Sequence, residues 1–286
     1  MIPFFLPTWV RTHLYANKLY EELEPSEKEE LKERLAKFNS ESPEVSVVMP
    51  AWNEQHTIFK SLSSLAASSS KRAIEIVVIN NNSKDGTQAV LDELGVRNYF
   101  QDLQGTPHAR GMGLEMARGK YFLCADADTL YPPDWVDLMV EPLEKSDINT
   151  CVYGTYSFIP PEEKSRFSFV LYEIFVWFNI WLRKRRKEFM NVYGFNMALR
   201  KKQGVEAGSF QVSTGNRVYS NAQGSDFKNE AEDGRMALNL SAFGRLYWQQ
   251  NPKARVFTSS RRLMDEGSLF KAFLMRWKRT LSKEFD

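Results

Sequence analysis

At 286 residues the chain can bury a sizeable core, either as one large α/β domain or as two small ones. Its 43% hydrophobic and 26% charged residues exclude a disordered chain, and a formal net charge of +2 argues against a dedicated nucleic-acid binder. The two cysteines, Cys124 and Cys151, make neither a disulfide framework nor a metal knot, which points to a reducing compartment.

The N-terminus (MIPFFLPTWVRTHLY) is apolar and aromatic. Two prolines interrupt it, no basic residue precedes it and no small-residue cleavage site follows, so it reads as neither a signal peptide nor a spanning helix. Ser26-Glu27-Lys28-Glu29 has the form of a capping box, and Leu31, Leu35 and Phe38 follow at helical spacing, which predicts a helix from Ser26 to Phe38. Residues 1–43 are therefore expected to be an arm and a packing helix.

From Val45 the texture alternates. Val45 to Met49 reads as a strand stopped by Pro50, Thr57 to Ala67 as a helix, and Ile74 to Ile79 as a second strand. Thr87 to Leu94 is a helix, Tyr99-Phe100 a short strand, Ala109 to Ala117 a helix and Lys120 to Ala125 a strand. Such alternation implies a mostly parallel sheet flanked by helices, with ligands outside the carboxyl ends of the strands. Further on, Cys151 to Ile159 and Val192 to Leu199 are expected strands, and Phe167 to Leu182 is an aromatic-rich apolar segment ended by Arg183-Lys184-Arg185-Arg186-Lys187. A polar stretch from Gly204 to Asn229 precedes an expected helix from Glu232 to Phe243.

Three polar clusters fall at strand ends. Pro50-Ala51-Trp52-Asn53-Glu54 offers a carboxylate near the next helix. Asn80-Asn81-Asn82-Ser83-Lys84-Asp85-Gly86-Thr87 is dense in short hydrogen-bonding side chains that suit a base or ribose better than a metal. Asp126-Ala127-Asp128 places two carboxylates one residue apart at a strand end, where both can face one divalent cation, and such a cation can neutralise a diphosphate leaving group. A solvated turn explains any one of these clusters, but not easily all three in this order.

Together with Ala109-Arg110-Gly111-Met112-Gly113 and Ala117-Arg118-Gly119-Lys120-Tyr121, these strings resemble the nucleotide-sugar-binding half of family 2 glycosyltransferases of the GT-A fold, closely so from Val45 to Asp137. The resemblance implies a Rossmann-like α/β architecture, with a nucleotide-sugar half at 44–142 and an acceptor half at 143–286 that ends in amphipathic helices. It implies that Asp128 is the main ligand of Mg²⁺ or Mn²⁺, with Asp126 supporting the ribose or the metal shell. It also implies that Pro50, Asn53, Glu54, Asn80, Asn81, Asp85 and Arg110 line the donor site. The family commonly has acids where this chain has Asn80 and Asn81, which puts a uridine preference in question, since an amide both donates and accepts. Glu230-Ala231-Glu232-Asp233 resembles the family's catalytic Glu-Asp at a helix start. Asp233, with Glu232 beside it, is the expected base for the acceptor hydroxyl in an inverting single displacement.

The expected donor is a nucleotide diphosphate-sugar and the expected acceptor a hydroxyl on a lipid or lipid-linked glycan. The alternatives are a catalytically silent nucleotide-sugar scaffold and a membrane-surface adaptor. A nucleotidylyltransferase is disfavoured because no Gly-rich, Lys/Arg-bearing loop follows the first strand. The segment from Arg166 to Leu182 contains Glu173 and Asn179, too polar and too short for a span, but its aromatics and basic tail match an interfacial helix on an anionic membrane surface at the cytoplasmic face. His13, Trp9 and the Phe-rich terminus are expected to cluster there. In the C-terminal stretch from Leu269, Arg276-Trp277 resembles the end of a processive-enzyme motif, yet Phe273 stands where that motif has Gln, so processivity is not expected. His13, His56 and His108 lack metal-ligand spacing.

Overall fold

The computed structural model describes residues 2–161, 163–185, 187–211 and 231–265. Within them lie the helices α1 (Thr8–His13), α2 (Pro25–Ala36), α3 (Ile58–Leu65), α4 (Thr87–Glu93), α5 (Thr106–Met116), α6 (Trp135–Lys145), α7 (Arg166–Arg183), α8 (Lys201–Glu206), α9 (Glu232–Ser241) and α10 (Arg261–Asp265). The strands are β1 (Val45–Ala51), β2 (Ile74–Asn80), β3 (Asn98–Phe100), β4 (Tyr121–Cys124), β5 (Thr129–Leu130), β6 (Asn149–Gly154), β7 (Tyr156–Ile159), β8 (Met197–Arg200), β9 (Arg245–Gln249) and β10 (Val256–Ser259).

Seven strands form one sheet in the order β3-β2-β1-β4-β8-β6-β9. β1 to β4 are parallel, β8 runs antiparallel to both neighbours, and β6 and β9 are parallel. Every residue of β2 and β4 is buried, as expected of strands covered on both faces. Alternate residues supply two cores: Val47 and Met49 face one, Val48 the other. The chain leaves β1 toward β2 on one side and later returns to place β4 on the other, so the carboxyl ends of β1 and β4 flank a topological switch point, where open α/β sheets bind ligands. A second sheet, β5-β10-β7, sits beside this edge.

Several sequence expectations shift. β1 continues through Pro50 to Ala51: Val48 gives its carbonyl to Ala125 of the β4 side, Pro50 faces the same way two residues on, and the β1–β4 ladder has already ended at Val48, so the missing N–H breaks no bond. α2 begins at Pro25, not Ser26. The Glu27 carboxylate accepts from the N–H of Glu24 at 2.9 Å and Pro25 takes the first turn, which its fixed φ suits. The expected strand from Cys151 to Ile159 breaks at Thr155 into β6 and β7, which join different sheets. The expected strand from Val192 starts only at Met197, after a 3₁₀ turn at Glu188–Asn191. The 212–230 part of the polar stretch, including Glu230, and everything from Glu266, including Phe273 and Arg276-Trp277, lie outside the described residues.

Candidate active site

The loop after β1 and the loop after β2 are stitched together. Asn53 adopts a left-handed φ of 53°, which asparagine tolerates better than bulkier residues, and its Oδ1 accepts from the N–H of Lys84 at 2.8 Å. The N–H of Asn53 donates to Ser83 Oγ at 3.0 Å. Asp85 accepts from the N–H groups of Gln55 at 3.2 Å and Thr87 at 3.0 Å, and from the Thr87 hydroxyl. That hydroxyl also receives the Glu54 N–H at 2.9 Å, and the Thr57 hydroxyl donates to the Glu54 carboxylate. Glu54 is thus fixed at the carboxyl end of β1.

Asn80 and Asn81 are buried, and each amide is engaged by its own surroundings. Asn80 donates to Gln88 Oε1 at 2.7 Å and accepts from the N–H of Ser83; Asn81 donates to the Leu103 carbonyl at 2.7 Å and accepts from the N–H of Gly105 at 2.6 Å. Both side chains therefore hold the 83 and 101–105 loops in place at the carboxyl end of β2. An aspartate at 81 could accept from Gly105 but could not donate to Leu103, which gives a local reason for the amide.

Beyond β4 the Asp pair divides between two guanidiniums. Asp126 Oδ1 accepts from Arg110 Nη2 at 2.7 Å, while Asp128 Oδ2 lies 3.7 Å from Arg261 Nη2, which also bonds Glu54 Oε1. Tyr131 receives the N–H of Asp126 on its hydroxyl at 2.7 Å and donates to the Phe195 carbonyl at 3.2 Å, tying the Asp turn to the loop before β8.

Arg110 is the centre of the cluster. It reaches from α5, donates through Nη1 to the Gly194 carbonyl at 2.6 Å, and sets Nε 3.3 Å from Glu232 Oε1, an ion-pair distance without hydrogen-bond alignment. Burial works against its charge, but Asp126, Glu232 and Asp233 together hold it protonated. A Cβ on Gly194 would stand 2.3 Å from the guanidinium carbon, so this close approach requires glycine.

Asp233 lies in the first turn of α9, where a carboxylate suits the helix dipole. Its Oδ2 accepts from the N–H of Gly194 at 2.8 Å and its Oδ1 from the N–H of Gly234 at 2.7 Å. Burial, followed by the charge of Glu232, pushes its carboxyl up to about 6, although Arg110 and the two N–H bonds pull the other way. A carboxylate poised near neutrality is suited to take a proton from a hydroxyl. Gly194 joins the two ends of the site, with its carbonyl on Arg110 and its N–H on Asp233.

The structure thus gathers Asp126, Arg110, Glu232 and Asp233 into one network and Glu54, Asp128 and Arg261 into a second beside it. Asn53, Asp85, Asn80 and Asn81 form the supporting wall. Sequence reasoning missed Thr57, Tyr131 and Arg261, and placed Thr87 only within its strand-end cluster. The short polar Thr57 at a helix start was findable, but nothing near Arg261 in the chain signals contact with a residue 207 positions away. His13 is buried against Ser63 (2.9 Å), and its imidazole is driven down to about 4 by burial and then by Arg34. His13 is therefore not at a surface cluster. Trp9 is half-buried against Phe257, and only Phe4 and Phe5 of the expected group are exposed.

Comparison with known proteins bears on the family and the fold. The model of the family described as Glycosyl transferase family 2 matches residues 46–203. An uncharacterized glycosyltransferase of Rickettsia bellii (strain RML369-C) is 30% identical over 133 residues, covering 45% of this chain and 19% of the relative. A dolichol-phosphate mannosyltransferase of Saccharomyces cerevisiae is 31% identical over 111 residues, covering 36% and 42%. The chain therefore spans less than half the length of either relative. Among solved structures, the mannosyltransferase PcManGT from Pyrobaculum calidifontis, in complex with GDP-Man and Mn²⁺, superposes with a TM-score of 0.54 at 17% identity over 94% of this chain and 74% of that one. S. aureus TarS 1–349 in complex with UDP gives 0.55 at 14% identity over 76% and 60%. These likenesses show the GT-A fold. Because the matched segment runs from β1 into α8, more than half the chain, and contains all three strand-end clusters, the protein belongs to glycosyl transferase family 2.

Proposed function

We propose that this protein is a metal-dependent, inverting glycosyltransferase that moves a sugar from a nucleotide diphosphate-sugar to a hydroxyl acceptor. The observation that carries the reading is the chain of contacts from Asp126 through Arg110 and Gly194 to Asp233, which links the end of the donor-side strand to a carboxylate at the start of α9. Asp233 takes the proton of the acceptor hydroxyl as that oxygen attacks the anomeric carbon, and the bond to the departing nucleoside diphosphate breaks on the opposite face. Burial and the charge of Glu232 raise its basicity, and Arg110 moderates it. A single such base favours inversion over a covalent intermediate. In this division residues 44–142 hold the donor and 143–286 the acceptor.

The donor chemistry of the Asp pair fits Mg²⁺ or Mn²⁺, which take hard oxygen ligands and are commonly bound by one or two carboxylates plus substrate phosphates. Asp128 and Asp126 would hold the ion together with the diphosphate; among the described residues no group of three or more His, Cys, Asp or Glu side chains is placed to hold a metal. When bound, the ion supplies charge neutralisation for the leaving diphosphate. The site is tested by a thermal-shift screen of UDP-, GDP-, dTDP- and CMP-sugars with and without Mn²⁺. A Mn²⁺-dependent shift with one nucleotide is expected and names the base; no shift with any of them overturns the reading. A shift without transfer to any hydroxyl acceptor would favour a silent nucleotide-sugar scaffold.

A lipid or lipid-linked acceptor at an anionic, cytoplasmic membrane face is the finer reading, and α7 supports it. The helix turns Phe169, Val170, Tyr172 and Ile180 into the core and leaves a second apolar side outside. It buries Glu173, which is paired with Arg166 and accepts from Ser157 and the N–H of Phe158, and it buries Asn179. It exposes Phe167, Leu171, Ile174, Trp177, Phe178, Trp181 and Leu182 along one side, with Lys184 and Arg185 exposed just beyond. Phe4 packs on Phe167 at 6.0 Å and extends the apolar strip. An apolar face of this size with a basic end matches an interfacial helix. No described helix is long and apolar enough to cross a membrane. The yeast relative's name contains a lipid phosphate. Phe178→Glu combined with Trp181→Glu should release the protein from phosphatidylglycerol vesicles in sedimentation; undiminished binding would remove the membrane reading.

A further inference from the structure

Glu54 and Asp128 leave different strands, β1 and β4, yet both carboxylates meet the same guanidinium. Arg261 Nη2 bonds Glu54 Oε1 and stands 3.7 Å from Asp128 Oδ2. The two acidic side chains are 8% and 12% exposed, whereas that of Arg261 is 47% exposed. The acids are also anchored. Thr57 and Thr87 hold Glu54, and the Asp128 carbonyl accepts from the N–H of Ser259 at 2.9 Å where β10 lies along β5. The cation instead comes from the first residue of the five-residue helix α10. On the other side of the pair, Asp126 is matched by the enclosed Arg110.

We infer that Arg261 is an internal substitute for the divalent cation: in the donor-free protein it fills the positive position beside Asp128, so metal and nucleotide load together and metal alone loads poorly. The inference rests on the metal-dependent reading above. A bare ion must displace the guanidinium from Asp128 and Glu54 and then finds few protein ligands, since no cluster of three is gathered among the described residues. A nucleoside diphosphate changes both halves of that balance. Its phosphate oxygens complete the ion's shell, and its remaining charge offers the planar guanidinium a new anion to pair with.

The test is a Mn²⁺ titration followed by electron paramagnetic resonance, without nucleotide and with GDP or UDP, on the wild-type chain, Arg261→Ala and Arg261→Lys. Arg261→Ala is expected to bind Mn²⁺ alone about ten-fold more tightly and to lose much of the gain that nucleotide gives. Arg261→Lys keeps the charge and is expected to keep Mn²⁺ binding weak without nucleotide. Unchanged or weaker Mn²⁺ binding by a folded Arg261→Ala protein overturns the inference. Asp128→Asn, alone and with Arg261→Ala, separates the two levels of argument: it should remove Mn²⁺ binding in both backgrounds, and binding that survives it withdraws the metal assignment itself.

Discussion

Among the described residues, two guanidiniums meet the acidic cluster, Arg110 and Arg261, and they are held in opposite ways. Arg110 is 4% exposed, is bonded to a backbone carbonyl and one carboxylate, and lies beside a second carboxylate on α9. Arg261 is 47% exposed and reaches the cluster from the first residue of α10. A buried cation among fixed partners is a structural member that cannot leave without stranding charge, whereas an exposed one can exchange with solvent ions at little cost. The Arg110 side therefore frames the surroundings of Asp233, and under the inference above the Arg261 side is the one that would yield to an entering ion.

That contrast is broken most directly at Arg110. Arg110→Ala strands Asp126 and Glu232 in a site shaped around a cation, and losing one partner of a buried pair costs about 3–5 kcal/mol. Chemical denaturation should register that loss together with abolished transfer. A stability change close to that of a surface substitution would show that Arg110 is not structural.

Asp233→Asn acts on the chemistry of the same side. Donor binding should persist while transfer falls by about 10²–10⁴-fold, the usual contribution of a positioned base. Near-normal rates would move the base to Glu232. The wild-type rate should also rise with pH through about 6, the value to which burial and Glu232 push this carboxyl. For stability the sign is opposite. Because the folded pKa lies above the unfolded one, the native state binds the extra proton between about 4 and 6. Ionising Asp233 therefore makes the fold less stable as pH rises through that window, and Asp233→Asn should flatten that component of the pH dependence of unfolding.

Gly194→Ala is a smaller disturbance of the frame. The added Cβ would meet the Arg110 guanidinium carbon at 2.3 Å, and overpacking of this kind costs about 1–3 kcal/mol. Because the residue's carbonyl serves Arg110 and its N–H serves Asp233, the variant should lower the melting temperature and shift the pH profile of transfer together. A shift in only one would show that the two contacts are independent.

The donor side of this arrangement was legible because its parts are contiguous. Pro50 to Glu54, Asn80 to Thr87 and Asp126 to Asp128 each follow a strand whose apolar run ends visibly, so their convergence at one sheet edge follows from βαβ alternation. The acceptor side was less so. Arg110 meets Gly194 across 84 residues and Arg261 meets Glu54 across 207, and no local pattern reports such pairs. Cys151 to Ile159 read as one strand because both pieces alternate alike, and only the pairing partners reveal that the chain changes sheets at Thr155. The two apolar sides of α7 were similarly hidden: composition shows aromatics, Glu173 and Asn179 in one helix, but that Phe169 and Tyr172 turn inward with Glu173 while Phe167 and Trp181 stay outside depends on Arg166 and β7.

The smallest effect tests whether the two sides are separate at all. Thr57 donates to the Glu54 carboxylate that Arg261 also bonds. Thr57→Val keeps the branched shape and deletes that donor, which should cost about 1 kcal/mol of stability and, by loosening the acid that holds Arg261 in the cation's place, ease Mn²⁺ binding without nucleotide a few-fold. Since neither Thr57 nor Glu54 is among the groups that set the basicity of Asp233, the midpoint of the pH profile should stay where it is in the wild-type chain. A displaced midpoint would mean that the loading side and the frame are one electrostatic unit, and that Arg110 and Arg261 differ in exposure but not in role.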